Sequence, residues 1–318
     1  MIDMEAYTTK YGKLKGIGLY TIHDNGILKD CTFDEKVDLH TPYGILTPQY
    51  TYDYRKKNNY ALSFYSDGTL RRISLEQATD LLTPIGPLSA ELLTFYDNGS
   101  IKRLFPLNGQ ISAYWEEKDE YQLAKETSFH FAFGRMNAKI IAISFYEDGN
   151  VKDLTFWPKQ KIKVQTPIGS VQVRIGLSLY PDGSLRSVEP AYPTKISTPI
   201  GALLAYDKNA SGISGDRNSL CFTPDGKLSS VATSGNRITV IGEDNHTVTH
   251  SPVQEADEDG VELSFQPMVV EFEQDYAVFN HTTRYPVSTY KFNIEPYRVT
   301  AVNLCDDCES CGKQCSRF

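Results

Sequence analysis

One short phrase constrains this chain more than any other: an apolar residue, an aromatic, then Asp-Gly or Asn-Gly, then another apolar residue two positions on. It appears as Phe64-Tyr-Ser-Asp-Gly-Thr-Leu70, Phe95-Tyr-Asp-Asn-Gly-Ser-Ile101, Phe145-Tyr-Glu-Asp-Gly-Asn-Val151 and Leu179-Tyr-Pro-Asp-Gly-Ser-Leu185, with looser copies centred on Gly26 and Gly226. Aligned on the glycine, the position four before it is always apolar (Ile22, Phe64, Phe95, Phe145, Leu179, Phe222), and so is the position six before (Tyr20, Leu62, Leu93, Ile143, Leu177, Leu220). Small, mostly polar residues sit between them: Thr21, Ser63, Thr94, Ser144, Ser178 and Cys221. Alternation with period two is the mark of a half-buried strand. The Asp-Gly or Asn-Gly pair then reads as a type I′ turn, so each unit is expected to be a β-hairpin.

A second turn signal follows in Thr41-Pro-Tyr-Gly44, Thr83-Pro-Ile-Gly86, Thr166-Pro-Ile-Gly169 and Thr198-Pro-Ile-Gly201. Proline fixes φ at the first corner and glycine accepts the left-handed conformation at the end, which describes a type I turn closing through a G1 bulge. The distance from hairpin glycine to this second glycine is 18 (26 to 44), 18 (68 to 86), 20 (149 to 169) and 18 (183 to 201), so strand lengths are held fixed by neighbours. Hairpin-to-hairpin spacing is less even, and the longest gap contains Glu116 to Glu126, the chain's best helical stretch. A second short helix is expected at Leu75 to Leu82. Unequal units suit an open meander better than a closed propeller. The composition agrees: 20 Tyr, 15 Phe, 22 Gly and 16 Pro against 2 Trp in 318 residues favour strands and turns. The fold class expected is therefore all-β, an open-sided antiparallel β-meander of repeated hairpins with a short inserted helix.

The unit Phe-Tyr-x-Asp-Gly-x-Leu-Lys/Arg resembles the repeats of MORN-type and YwqK-type bacterial proteins, and the longer pattern with Thr-Pro-Ile-Gly resembles repeat proteins of anaerobic Gram-positive bacteria. The likeness covers roughly residues 10 to 242. It implies hairpins stacked into an elongated, single-layer, open-sided sheet.

The organisation expected is a hairpin array over 1–250, an acidic linker over 251–263 built on Glu255-Ala-Asp-Glu-Asp-Gly260, a small β cap over 264–303, and a cysteine-rich tail over 304–318. That tail, Cys305-Asp-Asp-Cys308-Glu-Ser-Cys311-Gly-Lys-Gln-Cys315, has the C-x2-C-x2-C-x3-C spacing of the bacterial ferredoxin run, to which its eleven residues are similar. Ser316 stands where that signature has proline. Four thiolates so close suit a 4Fe-4S cluster or one tetrahedral zinc, and the residues do not separate the two; the alternative is a tail of idle thiols.

Three positions after five of the six hairpin glycines stands a cation: Lys29, Arg71, Lys102, Lys152 and Arg186. Stacked two-stranded units would space them about 10 Å apart along one face. Such a basic stripe can engage a protein or polyanionic partner, or simply keep the face soluble and discourage edge pairing. The tyrosine column Tyr65, Tyr96, Tyr146 and Tyr180 reads first as cross-strand packing and only second as an aromatic platform. His246 and His250, four apart, make a weak metal pair or a surface loop.

With 32 basic and 40 acidic side chains the net charge is -8, which argues against specific nucleic-acid binding, and no segment is apolar enough for a membrane span. The N-terminus has no signal-peptide pattern, so a cytoplasmic location is expected, where disulfides are disfavoured. The sequons at Asn98, Asn209, Asn245 and Asn280 are then chance. No nucleophile elbow, phosphate loop or His-Glu-x-x-His is present, and no catalytic residue is assigned. Two functions follow: a non-catalytic binding or scaffold module that uses one face of the sheet, or a metal-dependent protein whose tail senses redox state or carries electrons.

Overall fold

The computed structural model describes residues 6–56, 60–211, 218–256 and 263–297. Its principal sheet is a single meander. In order it runs Ile17–Ile22, Leu28–Phe33, Leu62–Phe64, Leu70–Thr83, Gly86–Phe95, Ile101–Phe105, Gly134–Phe145, Val151–Phe156, Gly169–Leu179, Leu185–Pro190, Leu220–Phe222, Leu228–Thr233, Met268–Glu273, Tyr276–Phe279 and Thr283–Pro286. Each strand pairs antiparallel with the next. Among the described residues no ladder joins the first strand to the last, so the sheet is open, and the fold is all-β with one short helix. Met268–Glu273, Tyr276–Phe279 and Thr283–Pro286 continue this sheet, whereas Lys291–Pro296 pairs with Asn236–Ile241 in a separate three-stranded sheet.

The sheet is not a bare single layer. A second set of hairpins lies across one face of it. These roof hairpins are Ala6–Thr9 with Gly12–Lys15, Leu39–Thr41 with Gly44–Leu46, Thr79–Thr83 with Gly86–Ala90, Glu126–Phe131 with Gly134–Lys139, Ile162–Thr166 with Gly169–Val173, and Thr194–Thr198 with Gly201–Ala205. Most close through Thr-Pro-x-Gly, and in each of those turns the threonine hydroxyl donates to the glycine carbonyl at 2.6–2.8 Å while the glycine takes a positive φ. Thr9-Lys-Tyr-Gly12 and Phe131-Ala-Phe-Gly134 make equivalent hairpins without the Thr-Pro pair, which is why sequence pattern alone misses them.

Roof and sheet share one core. Leu14, Leu39, Leu46, Leu81, Leu88, Val164, Val171 and Leu203 of the roof join Leu62, Phe64, Leu93, Phe95, Ile143, Phe145, Leu177 and Leu179 of the sheet in a single buried cluster. Apolar surface removed from water in this interlayer seam stabilises the fold by about 25 cal/mol per Å². Four of the roof turns skip the Asp-Gly hairpin that follows them in the chain and seat on the next one. Tyr11 stacks on Phe64 and accepts from the Leu70 amide at 3.0 Å; Tyr43 meets Phe95 and accepts from the Ile101 amide at 3.1 Å. Pro84 lies against Gly149 and Pro167 against Gly226 in the same way.

Two sequence expectations fail for identifiable reasons. The Asp-Gly turns are not type I′, because only the glycine has positive φ: Gly68 at 80°, Gly99 at 85°, Gly149 at 88° and Gly183 at 80°. Tyr65 N–H bonds to the Thr69 carbonyl and Gly68 N–H to the Tyr65 carbonyl, giving a three-residue loop that is a type I turn with a G1 bulge. Leu75 to Leu82 is strand, not helix; good helix formers are overridden where the segment pairs with Gly86–Ala90 and buries Leu75 and Leu81. The expected helix at Glu116 to Glu126 exists as Glu117–Leu123, capped by Glu116 and Asp119. Its role is to present Glu120, which is buried and accepts from Arg55 (2.9 Å), the Gly109 amide (2.8 Å) and Trp115 Nε1 (2.7 Å). Arg55 also clasps Glu91 at 2.6 Å, so one ion-pair cluster ties two long loops to the sheet.

Candidate binding face

The face of the meander away from the roof carries the residues that sequence pattern singles out. Just after each turn the ladder slips by one residue, as between Ser63 and Phe64 opposite Leu70 to Arg72. Such a bulge brings two consecutive residues to the same face. It therefore places Lys29 with Asp30, Arg71 with Arg72, Lys102 with Arg103, Lys152 with Asp153, and Arg186 with Ser187 on the uncovered side.

The first member of each pair is the expected basic stripe, and the structure keeps it in line. Arg71, Lys102, Lys152 and Arg186 are exposed and Lys29 is half-buried. Each exposed head stacks on the tyrosine that precedes its turn: Arg71 on Tyr65 (6.0 Å to the ring centroid), Lys102 on Tyr96 (5.2 Å), Lys152 on Tyr146 (5.7 Å) and Arg186 on Tyr180 (5.8 Å). Cation–π contacts at exposed sites contribute about 0.5–1 kcal/mol each and fix where the charges stand. Among the described residues none of the five lies within ion-pair distance of a carboxylate. The turn carboxylates are engaged locally. Asp67 and Asp182 accept from the backbone and hydroxyl of Thr69 and Ser184, which holds both below the ordinary carboxylate range.

The tyrosines do more than pack. Tyr65 donates to the Phe95 carbonyl (2.8 Å), Tyr96 to Phe145 (2.9 Å), Tyr146 to Leu179 (2.9 Å) and Tyr180 to Phe222 (2.8 Å), while His23 Nε2 meets the Phe64 carbonyl at 3.0 Å. Every acceptor is the residue four before the glycine of the next hairpin turn. The result is a ladder that staples hairpin to hairpin along the turn edge.

Inside the stripe runs a second line. Cross-strand register joins Thr21, Asp30, Ser63, Arg72, Thr94, Arg103, Ser144, Asp153, Ser178, Ser187, Cys221, Ser230 and Glu271 into one transverse polar row. Parts of it are satisfied internally: Thr21 and Ser63 both donate to Asp30, at 3.0 and 2.7 Å. Asp153 is pushed above the ordinary aspartate range by desolvation, against the opposing effects of Ser144, Arg103 and Lys152. Arg72 is pulled down by its own burial and donates to the Tyr60 carbonyl at 2.7 Å. In the sequence the small members of the row stand out as period-two alternation, and only the Arg71-Arg72 and Lys102-Arg103 doublets mark its charged members.

Other candidates do not assemble. His246 is exposed beside Asp244, whereas His250 is held between Phe279 and Tyr285, its Nε2 3.0 Å from the tyrosine oxygen. Cys31 is buried in its strand with its thiol pushed up to about 12 by desolvation. Cys305, Cys308, Cys311 and Cys315 lie outside the described residues, and among the described residues no three His, Cys, Asp or Glu side chains are grouped to hold a metal. No helix among the described residues is long and apolar enough to cross a membrane. A groove of about 360 Å³ between two roof turns, lined by Lys10, Tyr11, His40, Tyr43 and Asp97, follows from the spacing of the repeat.

Among known proteins the chain has no match: no family model, no curated protein and no solved structure.

Proposed function

We propose that the chain is a non-catalytic binding module that holds an extended acidic protein segment, or another polyanion, against the uncovered face of its sheet. The observation that supports this reading is the column of cationic heads on tyrosine rings, set on successive hairpins about 10 Å apart and unpaired with carboxylates. Positioned charges that lack counterions are suited to a partner that brings them. A net charge of -8 makes the rest of the surface repel the same partner, so association is confined to this face.

A glutamate-rich peptide immobilised on a column tests it. The wild-type protein is expected to be retained at low salt and released as salt rises, because exposed charges are screened. Replacing Lys29, Arg71, Lys102, Lys152 and Arg186 together by Gln is expected to abolish retention with the far-UV spectrum unchanged. Equal retention of both proteins overturns the reading.

A further inference from the structure

The polar row is not uniform. After the hairpin glycines at 26, 149 and 183 the second residue of the bulge pair is Asp30, Asp153 or Ser187, but after the adjacent glycines at 68 and 99 it is Arg72 or Arg103. Positive charge is thus doubled on two neighbouring hairpins and nowhere else among these five. Arg72 and Arg103 lie directly opposite Thr94, one on each side of it in the ladder. Facing residues stand about 5 Å apart at Cβ, so the two arginines are rooted about 10 Å from each other with the threonine between.

What makes this a site is that its polar groups are unspent. The Thr94 hydroxyl is buried and has no hydrogen-bond partner. Among the described residues the half-buried Arg103 guanidinium makes neither a hydrogen bond nor an ion pair. Arg72 uses one N–H on a backbone carbonyl and keeps its others free. Buried polar groups are normally satisfied, and planar guanidinium forks satisfy themselves best on oxyanions. Two such forks flanking a hydroxyl suit a group of charge near -2 with three acceptor oxygens. The nearest carboxylates, Asp30 and Asp153, flank the site from outside: Asp30 accepts from Thr21 and Ser63, and Asp153 stands one ladder step beyond Ser144 from Arg103, where the Ser144 hydroxyl and one Asp153 oxygen are, like Thr94, buried without a hydrogen-bond partner.

We propose that Arg72, Thr94 and Arg103 form a phosphoryl-binding site, with Arg71 and Lys102 adding attraction from the stripe. The inference rests on the reading of this face as the binding surface and specifies its strongest point. Inorganic phosphate is the probe, titrated into the full chain while backbone amide resonances are followed. Shifts are expected at Thr94, Arg72 and Arg103 and not at Arg186. Arg103→Gln is expected to weaken phosphate binding about tenfold or more, the loss that follows when a charged hydrogen-bonding partner is removed. Thr94→Val is expected to weaken it too, yet to raise the urea midpoint, because it replaces a buried unpaired hydroxyl by a methyl; a merely structural threonine would not divide the two readouts in that way. Shifts spread evenly along Lys29 to Arg186, unchanged affinity in both variants, or equally strong binding of acetate would each overturn the phosphoryl site. Retention on the glutamate column is measured on the same variants, so this site and the face-wide reading fail separately.

Discussion

Removing the phenolic hydroxyls of Tyr65, Tyr96, Tyr146 and Tyr180 together, as phenylalanines, isolates the ladder along the turn edge. Each hydroxyl donates to one backbone carbonyl of the next hairpin at 2.8–2.9 Å. A net hydrogen bond of this kind contributes about 1 kcal/mol, with a range of about 0.5–1.5. Phenylalanine keeps a ring under Arg71, Lys102, Lys152 and Arg186, so the cation–π contacts stay and only the donors are lost. Neighbouring rungs are about 10 Å apart, the distance beyond which substitutions add to within about 0.5 kcal/mol. The quadruple variant is therefore expected to lose about 4 kcal/mol, and Tyr146→Phe alone about 1. Urea unfolding followed by far-UV circular dichroism measures both. A quadruple loss under about 1 kcal/mol would refute the ladder as a source of cohesion between hairpins.

Desolvation raises Asp153 above its ordinary range, so folding favours its protonated form. The stability it contributes is complete at low pH and is lost as pH climbs through the raised folded-state value. Asp153→Asn is accordingly expected to unfold at higher urea than wild type at about pH 7, with the difference shrinking toward about pH 4. Cys31, buried with its thiol raised to about 12, is expected to resist iodoacetamide in the folded protein and to label in urea, read on its own peptide by mass spectrometry. At Gly176 a Cβ would overlap the Leu154 carbonyl, beside Ile175 at φ 65°, so Gly176→Ala is expected to cost about 2 kcal/mol or more in the same unfolding assay.

What was legible in the sequence is what neighbouring residues decide. The alternation around Phe64, Phe95, Phe145 and Leu179 and the glycine after each Asp or Asn were enough to specify hairpins and the open sheet. Turn type is not decided locally: Asp-Gly is compatible with both two-residue and three-residue loops, and the choice belongs to the bulge that the ladder takes afterwards. Four roof turns are marked by Thr-Pro-x-Gly, but their seating is not: placing Tyr11 on Phe64 and Tyr43 on Phe95 joins residues more than fifty positions apart, and no local pattern reports which hairpin a turn will cover. The basic stripe was legible as a column, but its concentration at Arg72 and Arg103 emerges only from the register that sets Thr94 between them.

The skipped seating of the roof turns gives chain growth a direction. Tyr11 is synthesised well before Phe64, and Tyr43 before Phe95, so on the ribosome each lid exists before the surface it will close over. A nascent array always carries a leading apolar patch waiting for the next hairpin, and each arriving hairpin completes an older seam while its own roof turn opens a new one. Deleting an internal hairpin would therefore leave an earlier turn without a seat, and the damage would lie upstream of the cut.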